Sequence, residues 1–383
     1  MLRLCVTAIF IYFFVFSAVV FAYDPGITDT QIVIGTSAAL TGHAAFLGKN
    51  IVYGLRTYFN YINDRGGIYG RKIVHIAYDD DYNPPLMISN VRRLIHKDHI
   101  FALMGLVGTP TTLAVLKIVE ESKIPLLCPF TGAQQLRYPF KKYVINLRAS
   151  YWDECAAAVD YFVKHGKRRF AVFYQQDAYG LNGRQGVDRR LIKYDLRLVG
   201  EATYTRGCTD VRKQVAMLKQ FNPDAIAMIG TYDACAAFIK EAVNQGMGNV
   251  WFFNVSFVGS DKLAALLKDT KATVFVTQVV PFPTDNSLPA VREYQELLNI
   301  YFPRVKPNFT CLEGFLDAKL FVEALKRAGP ALTRENLIKA IESMHNLDLG
   351  IGEKVNFGSA DHQGLSKVYI TQIKHGQIIP VSD

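Results

Sequence analysis

The chain has 383 residues, half of them hydrophobic, with 43 Lys and Arg against 34 Asp and Glu for a formal net charge of +9. Length and apolar content together exclude a chain too small or too polar to bury a large core, and favour two lobes. The basic clusters at 164–169 and 212–214 read as helix ends and solvated faces, and no recognised motif accompanies them, so nucleic acid is not an expected partner.

The opening stretch MLRLCVTAIFIYFFVFSAVVFA has one early Arg, an apolar run and Val20-Phe21-Ala22 as a small-x-small site. It is expected to be a secretory signal peptide cut after Ala22. An uncleaved membrane anchor is the competing reading, because the run is nearly long enough to span a bilayer. Cys5 lies too early for a lipoprotein cleavage site, and no other segment approaches membrane-spanning length, so a soluble, exported protein is expected. Loss of the leader removes Arg3 and no acid, leaving 42 basic against 34 acidic residues. Five cysteines remain: Cys128, Cys155, Cys208, Cys235 and Cys311. No CxxC occurs and an odd count leaves one thiol unpaired; Cys208 with Cys235 is the expected pair, both following consecutive strands.

Past the leader one unit repeats. QIVIGTSA reads as a strand, GKNIVYGLRTYFNYIND as an amphipathic helix, RGGIYG as a turn and RKIVHIAYDDD as a strand. Helix PPLMISNVRRLIHKD, strand IFALMG, helix TTLAVLKIVEES and strand IPLLCPF follow. From Tyr151 a second series runs: helix 153–166, strand 169–175, helix 183–194, strand 197–204, helix 210–221, strand 225–230, helix 234–246 and strand 250–255. Short apolar strands separated by helices require parallel pairing through right-handed crossovers, with both sheet faces covered. Two series therefore predict two α/β lobes. TVFVTQVVPFP leaves the second series, helices at 288–302 and 312–329 look like those of the first lobe, and the tail from Lys367 reads as a hairpin turning at KHGQ.

In open parallel sheets, ligands bind outside the carboxyl ends of strands. Four such ends are suggestive: SAALTGHAAFLG (37–48), GLVGTPTTLAVLK (105–117), PFTGAQQLR (129–137) and YQQDAYGLNGRQG (174–186), which places Tyr179 on a loop. Thr109 offers a hydroxyl at a helix start with unpaired N–H groups, and Thr131, Gly132 and Ala133 offer the same at the next strand end. Two such ends side by side would hold a carboxylate without a cationic side chain; ordinary N-capping is the alternative. Asp79 to Asp81 read as a polar strand-end loop before a Pro-started helix rather than a metal site. No GxSxG, HExxH, GxxxxGK[ST] or strand-borne GxGxxG is present. An exported hydrolase would need a nucleophile paired with a base, and none is arranged. The expectation is a binding protein, not an enzyme, without cofactor or metal.

In order and spacing, IVIGTSAALTGHAAFLG, YFNYINDRGGIYGRKIVHIAYDDDYNP, ALMGLVGTPTTLAV, IPLLCPFTGA, FAVFYQQDAYGLNG and NPDAIAMIG resemble the periplasmic substrate-binding proteins of branched-chain amino-acid (Leu/Ile/Val-type) ABC transporters. The resemblance covers about residues 30–260, and LEGFLDAKLFVEAL extends it. It implies the type I periplasmic-binding-protein fold, two Rossmann-like lobes with parallel sheets joined by a three-strand hinge. Residues 1–22 would be the signal peptide, 23–148 with 281–357 lobe 1, and 149–280 with 358–383 lobe 2. It also implies a periplasmic monomer that captures a small ligand and hands it to a membrane ABC permease. A sensory receptor of the same fold, signalling to a partner protein, is the alternative.

Carried over by position, Thr109 corresponds to the residue that binds the ligand carboxylate. Phe130, Thr131 and Gly132 stand at the next strand end, and Tyr179 matches the aromatic of the second lobe's first loop. Thr231 and Tyr232 stand where that lobe has a tyrosine, and Leu47, with Phe46 beside it, where the first loop has an aromatic. The ammonium-binding acid is missing, since NVSFVG places Ser256 or Phe257 there. Either Asp177 or Asp233 supplies the charge, or the ligand has no ammonium. Phe46, Phe130, Tyr179 and Phe257 would serve as apolar walls.

Overall fold

The computed structural model describes residues 24–381; the expected leader lies outside them. The first sheet is built from β1 (Gln31–Ala38), β2 (Lys72–Asp79), β3 (Ala102–Met104), β4 (Leu126–Leu127) and β5 (Val144–Ile145), in the order β2-β1-β3-β4-β5. Every pairing in it is parallel. Its connecting helices are α1 (Ala45–Asp64), α2 (Pro84–His96) and α3 (Thr109–Glu121). IPLLCPF contributes only two strand residues. Pro125 and Pro129 have no N–H to give a ladder, and Cys128 turns to φ 48° between them.

The second series starts with α4 (Tyr151–Lys164), entered through a capping box in which Ser150 and Asp153 satisfy each other's backbone N–H. There follow β6 (Phe170–Gln175), α5 (Ala178–Ile192), β7 (Leu198–Tyr204), α6 (Arg212–Lys219), β8 (Ala225–Ile229), α7 (Tyr232–Asn244), β9 (Trp251–Asn254), α8 (Ser260–Leu266) and β10 (Thr273–Gln278). The chain then returns to the first sheet's side as α9 (Pro289–Tyr301), α10 (Phe309–Ala328), α11 (Arg334–Glu342) and the small ladder β11 (Leu347–Asp348) and β12 (Lys354–Val355). It ends as the antiparallel hairpin β13 (Tyr369–Lys374) and β14 (Gln377–Pro380). The second sheet has the order β14-β13-β10-β9-β8-β6-β7, with β13 antiparallel to β10.

Helix α10 lies against α1 although more than two hundred residues separate them, and glycine makes the approach possible. A Cβ on Gly54 would stand 2.1 Å from the Cys311 carbonyl oxygen, and one on Gly314 2.5 Å from that of Ile51. Beside this crossing Tyr58 packs edge-on to Phe315 at 5.2 Å, and Phe59 to Phe321 at 6.1 Å.

Among the described residues the chain passes between the two sheets three times, after Ile145, after Gln278 and after Val355. The first and third passages are tied together: Asn146 N–H donates to the His362 carbonyl at 2.8 Å and Gly364 N–H to the Asn146 carbonyl at 2.8 Å. The Arg137 guanidinium, donating to Gln363 Oε1 and to the Ala133 and Arg148 carbonyls, braces the same place.

Three expectations need correction. Helix α5 begins at Ala178, not near 183, because the Asp177 carboxylate accepts the Tyr179 N–H; Tyr179 therefore sits in the first helical turn. Cys208 and Cys235 are not bonded: all five described cysteines are thiols, Cys208 exposed and the others buried. Helices α8 and α11 and strand β5 are additional to the predicted elements. No described helix is long and apolar enough to cross a membrane.

Candidate ligand-binding site

Both sheets have a topological switch point, where successive crossovers leave to opposite sides. In the first it lies between β1 and β3, in the second between β6 and β8. The residues just past these strands face each other across the gap between the lobes, which is where parallel sheets bind ligands.

On the first lobe, the β3–α3 connection turns at Gly108 with φ 98°, and a Cβ there would fall 2.0 Å from the Tyr82 ring. The turn sets Thr109 at the first position of α3, fully buried. Its hydroxyl lies 2.6 Å from that of Thr131, at the neighbouring strand end. Backbone bonds hold these two ends in register: Phe130 N–H donates to the Leu106 carbonyl at 2.8 Å and Gly108 N–H to the Phe130 carbonyl at 3.2 Å. Thr131 Oγ1 also accepts the Ala133 N–H at 3.2 Å. The Gly132 carbonyl takes the Tyr151 N–H at 2.8 Å, and a side chain at Gly132 would strike Tyr151. The phenol of Tyr151 comes to rest beside both threonine hydroxyls without completing a hydrogen bond to either, and burial pushes it up to about 12.

On the second lobe, Tyr179 is fully buried, its hydroxyl donating to the Gly230 carbonyl at 3.3 Å. Thr231 stands at the N-cap position of α7 without a side-chain capping bond and gives its N–H to the Tyr204 hydroxyl at 3.1 Å. Phe257, on the turn after β9, inserts its ring between the lobes, 5.3 Å from Phe130, 5.9 Å from Tyr82 and 4.9 Å from Tyr179. The lobes are closed on one another. Arg206 crosses from the second lobe to donate to the Tyr82 carbonyl at 2.8 Å, Gln134 N–H donates to Asn182 Oδ1 at 3.0 Å, and Phe46 N–H reaches the Tyr232 hydroxyl at 3.4 Å.

Thr109, Phe130, Thr131, Gly132, Tyr179 and Phe257 thus form one wall-to-wall cluster with Tyr82 and Tyr151. Leu47 and Tyr232 lie at a second contact, where a Cβ on Gly259 would meet both side chains at 3.0 Å. Ser256 is elsewhere. It is turned into a buried ionic knot, where its N–H donates to Glu154 at 2.7 Å and its hydroxyl contacts Arg148 and Glu154. Asp177 stands at the lobe crossing but is paired with Arg206 at 2.7 Å. Asp233, half-buried at the start of α7, is pushed up by burial.

The knot was not legible in the sequence. Arg148 bonds Glu154 at 3.0 Å and Glu313 at 3.1 Å, all three almost wholly buried, and Thr277 adds its hydroxyl to Glu154 at 2.6 Å. Burial pushes Glu313 up to about 7 against the pull of Arg148, and pushes Asp317, one turn along α10, well above the usual carboxylate range. The only local sign is the i, i+4 acid pair within the otherwise apolar CLEGFLDAKL. No described group of His, Cys, Asp and Glu is placed to hold a metal.

A family model described as periplasmic binding protein matches residues 31–377. The chain belongs to that family. Among solved structures, this periplasmic binding protein is similar to a possible leucine/isoleucine/valine-binding protein from Rhodopirellula baltica. The two share 33% identity and a TM-score of 0.87, over 92% of this chain and 97% of that one. A fatty acid ABC transporter substrate-binding protein from Thermomonospora curvata matches at 25% identity and TM-score 0.84, over 94% and 93%. The leucine-specific-binding protein of Salmonella typhimurium is 22% identical over 72% of this chain and 74% of its own length. These relatives are binding proteins, not enzymes, and the Leu/Ile/Val-binding type of the family accounts for the two lobes and their parallel sheets.

Proposed function

We propose that this periplasmic binding protein captures a small carboxylate-bearing solute between its lobes and delivers it to an ABC permease. The observation that carries the reading is the buried Thr109–Thr131 hydroxyl pair, 2.6 Å apart at two adjoining strand ends and covered by Tyr151. A carboxylate replacing the bond between these hydroxyls receives both of them, together with N–H groups of the α3 start. The names of two relatives are compatible with this anchor, since leucine and a fatty acid both join a carboxylate to an apolar aliphatic body. The first lobe, 23–148 with 281–357, binds the anion. The second, 149–280 with 358–383, then closes through Tyr179, Phe257 and the 231–232 turn, while Arg206 fastens the shut form to Tyr82. Ligand shifts the hinge only by binding the closed form better than the open one. The protein works as a monomer in the periplasm, exported by its cleaved leader.

Calorimetry of refolded, ligand-stripped protein against a panel of amino acids and aromatic and aliphatic acids is expected to find one site per chain, at an affinity near micromolar, about −8 kcal/mol. Thr109→Ala with Thr131→Ala is expected to weaken it roughly tenfold or more per hydroxyl, since each bond is to a charged group. Undiminished binding in the double variant places the site elsewhere.

A further inference from the structure

We infer that the solute held between the lobes is a carboxylate without an ammonium group, its apolar body lying among Phe130, Tyr179 and Phe257. The inference rests on the carboxylate reading of the Thr109–Thr131 pair and adds the chemistry of the rest of the molecule.

A buried ammonium needs an anionic partner, and the acids bonded around the ring cluster are already committed. Asp177 accepts from Tyr179 N–H, Gln175 Nε2 and two nitrogens of Arg206. Glu154 accepts from Arg148, from Ser256 N–H and hydroxyl, and from Thr277. Asp80 accepts from the Ser37 hydroxyl and Tyr82 N–H, and Asp79 from Leu40, Thr41 and Asp81. Asp233, at the half-buried start of α7, has the Lys262 ammonium as its cationic neighbour and the ring of His43 beside it, and it is not among the charges that act on Tyr82, Tyr151 or Tyr179. After β9, Ser256 turns into the ionic knot and the Phe257 ring faces the gap.

Aromatic rings alone can hold a cation, but guanidinium groups already cover these. Arg206 lies 4.8 Å from the centre of the Tyr82 ring, and Arg148 lies 5.1 Å from that of Phe130 and 5.8 Å from that of Tyr151. An ammonium entering among these rings would meet two resident cations, and the carboxylates bonded there, Asp177 and Glu154, are already paired with them. The unfilled polar atoms point the other way. Tyr82 Oη, Tyr151 Oη and Arg148 Nε are buried and complete no hydrogen bond among the described residues, and each donates readily to an anion. Tyr82 Oη approaches Gln175 without bonding it. His43 Nε2, also buried and unpartnered, belongs to a ring that burial and Arg206 hold towards the neutral form, so it gives an ammonium no counter-charge.

Matched pairs test this: leucine with 4-methylpentanoate and phenylalanine with 3-phenylpropanoate, each titrated calorimetrically into the ligand-stripped protein and its Thr109→Ala variant. The ammonium-free member of at least one pair is expected to bind roughly 100-fold or more tightly than its amino acid, the scale set by one unpaired buried polar group. Thr109→Ala is expected to weaken that binding. An amino acid binding as well as its ammonium-free partner, or better, and losing affinity in Thr109→Ala, overturns the inference and leaves the carboxylate site standing. Binding indifferent to Thr109, or no binding by any of the four acids, overturns the carboxylate site and the inference with it.

Discussion

Replacing Arg148 by Met removes the cation that bonds both acids of the buried knot and keeps most of its volume. The guanidinium donates to Glu154 at 3.0 Å, to Glu313 at 3.1 Å and to the Ser256 hydroxyl. Without it Glu154 keeps Ser256 N–H, Ser256 Oγ and Thr277 Oγ1, whereas Glu313 loses its ion-pair partner. Breaking a buried pair by removing one partner costs about 3–5 kcal/mol, because the stranded charge stays out of water. The cost depends on pH with a definite sign. Burial raises the Glu313 carboxyl to about 7 in the folded chain, above the ordinary 4.5. A carboxylate raised in this way contributes stability that is full below 4.5 and is lost as pH rises to about 7. Without Arg148 its titration moves higher still, so the loss deepens above pH 7. At pH 5 Glu313 is protonated in both proteins, and the penalty shrinks to the Glu154 share, roughly half, about 2 kcal/mol. Urea unfolding at pH 8 and pH 5, followed by the fluorescence of Trp152 and Trp251, measures both values. A loss below about 1 kcal/mol at pH 8, or the same loss at both pH values, refutes the assignment of a buried, pH-dependent knot.

His75 is fully buried, pushed down to about 3 by burial and by Arg56, and its Nε2 lies 2.8 Å from a Thr36 hydroxyl that itself donates to the Met104 carbonyl. A depressed histidine contributes stability that is full above its unfolded value of 6.5 and is lost as pH falls towards 3. This amounts to about 2 kcal/mol by pH 5. His75→Gln is expected to flatten the acid limb of the stability profile by that much; parallel profiles for the two proteins contradict it. Iodoacetamide under native conditions is expected to modify Cys208 alone of the five described cysteines, and all five after unfolding, as read by intact mass. A native protein that gains mass on reduction and alkylation only after a disulfide is opened would restore the Cys208–Cys235 bond.

The strands and helices were legible because each is a short apolar run or an amphipathic repeat; QIVIGTSA coincides with β1. The Thr109–Thr131 pair was legible because both residues follow a buried strand and open a helix or turn, a local pattern that consecutive parallel strands bring together. What local pattern cannot carry is the orientation of a turn residue. Ser256 and Phe257 are neighbours on one 3-10 turn, and their opposite facing is decided by Glu154, about a hundred residues away. Arg148, Glu154, Ser256 and Glu313 each look ordinary in sequence, and their meaning arises only where the three passages between sheets converge. Tyr151 was read as the place where the second series starts, and Tyr82, next after the Asp79–Asp81 loop, carried no reading of its own. Both close over the gap because Gly132 and Gly108 leave room for their rings.

The contact of α10 with α1 also sets a timetable. Gly54 and its flanking side chains find their covering only in residues translated after the whole of the second sheet's consecutive strands, up to Gln278, has left the ribosome. A nascent chain therefore carries an uncovered greasy furrow along α1 through most of its synthesis, and α10 can cover it only once the chain has reached Ala328.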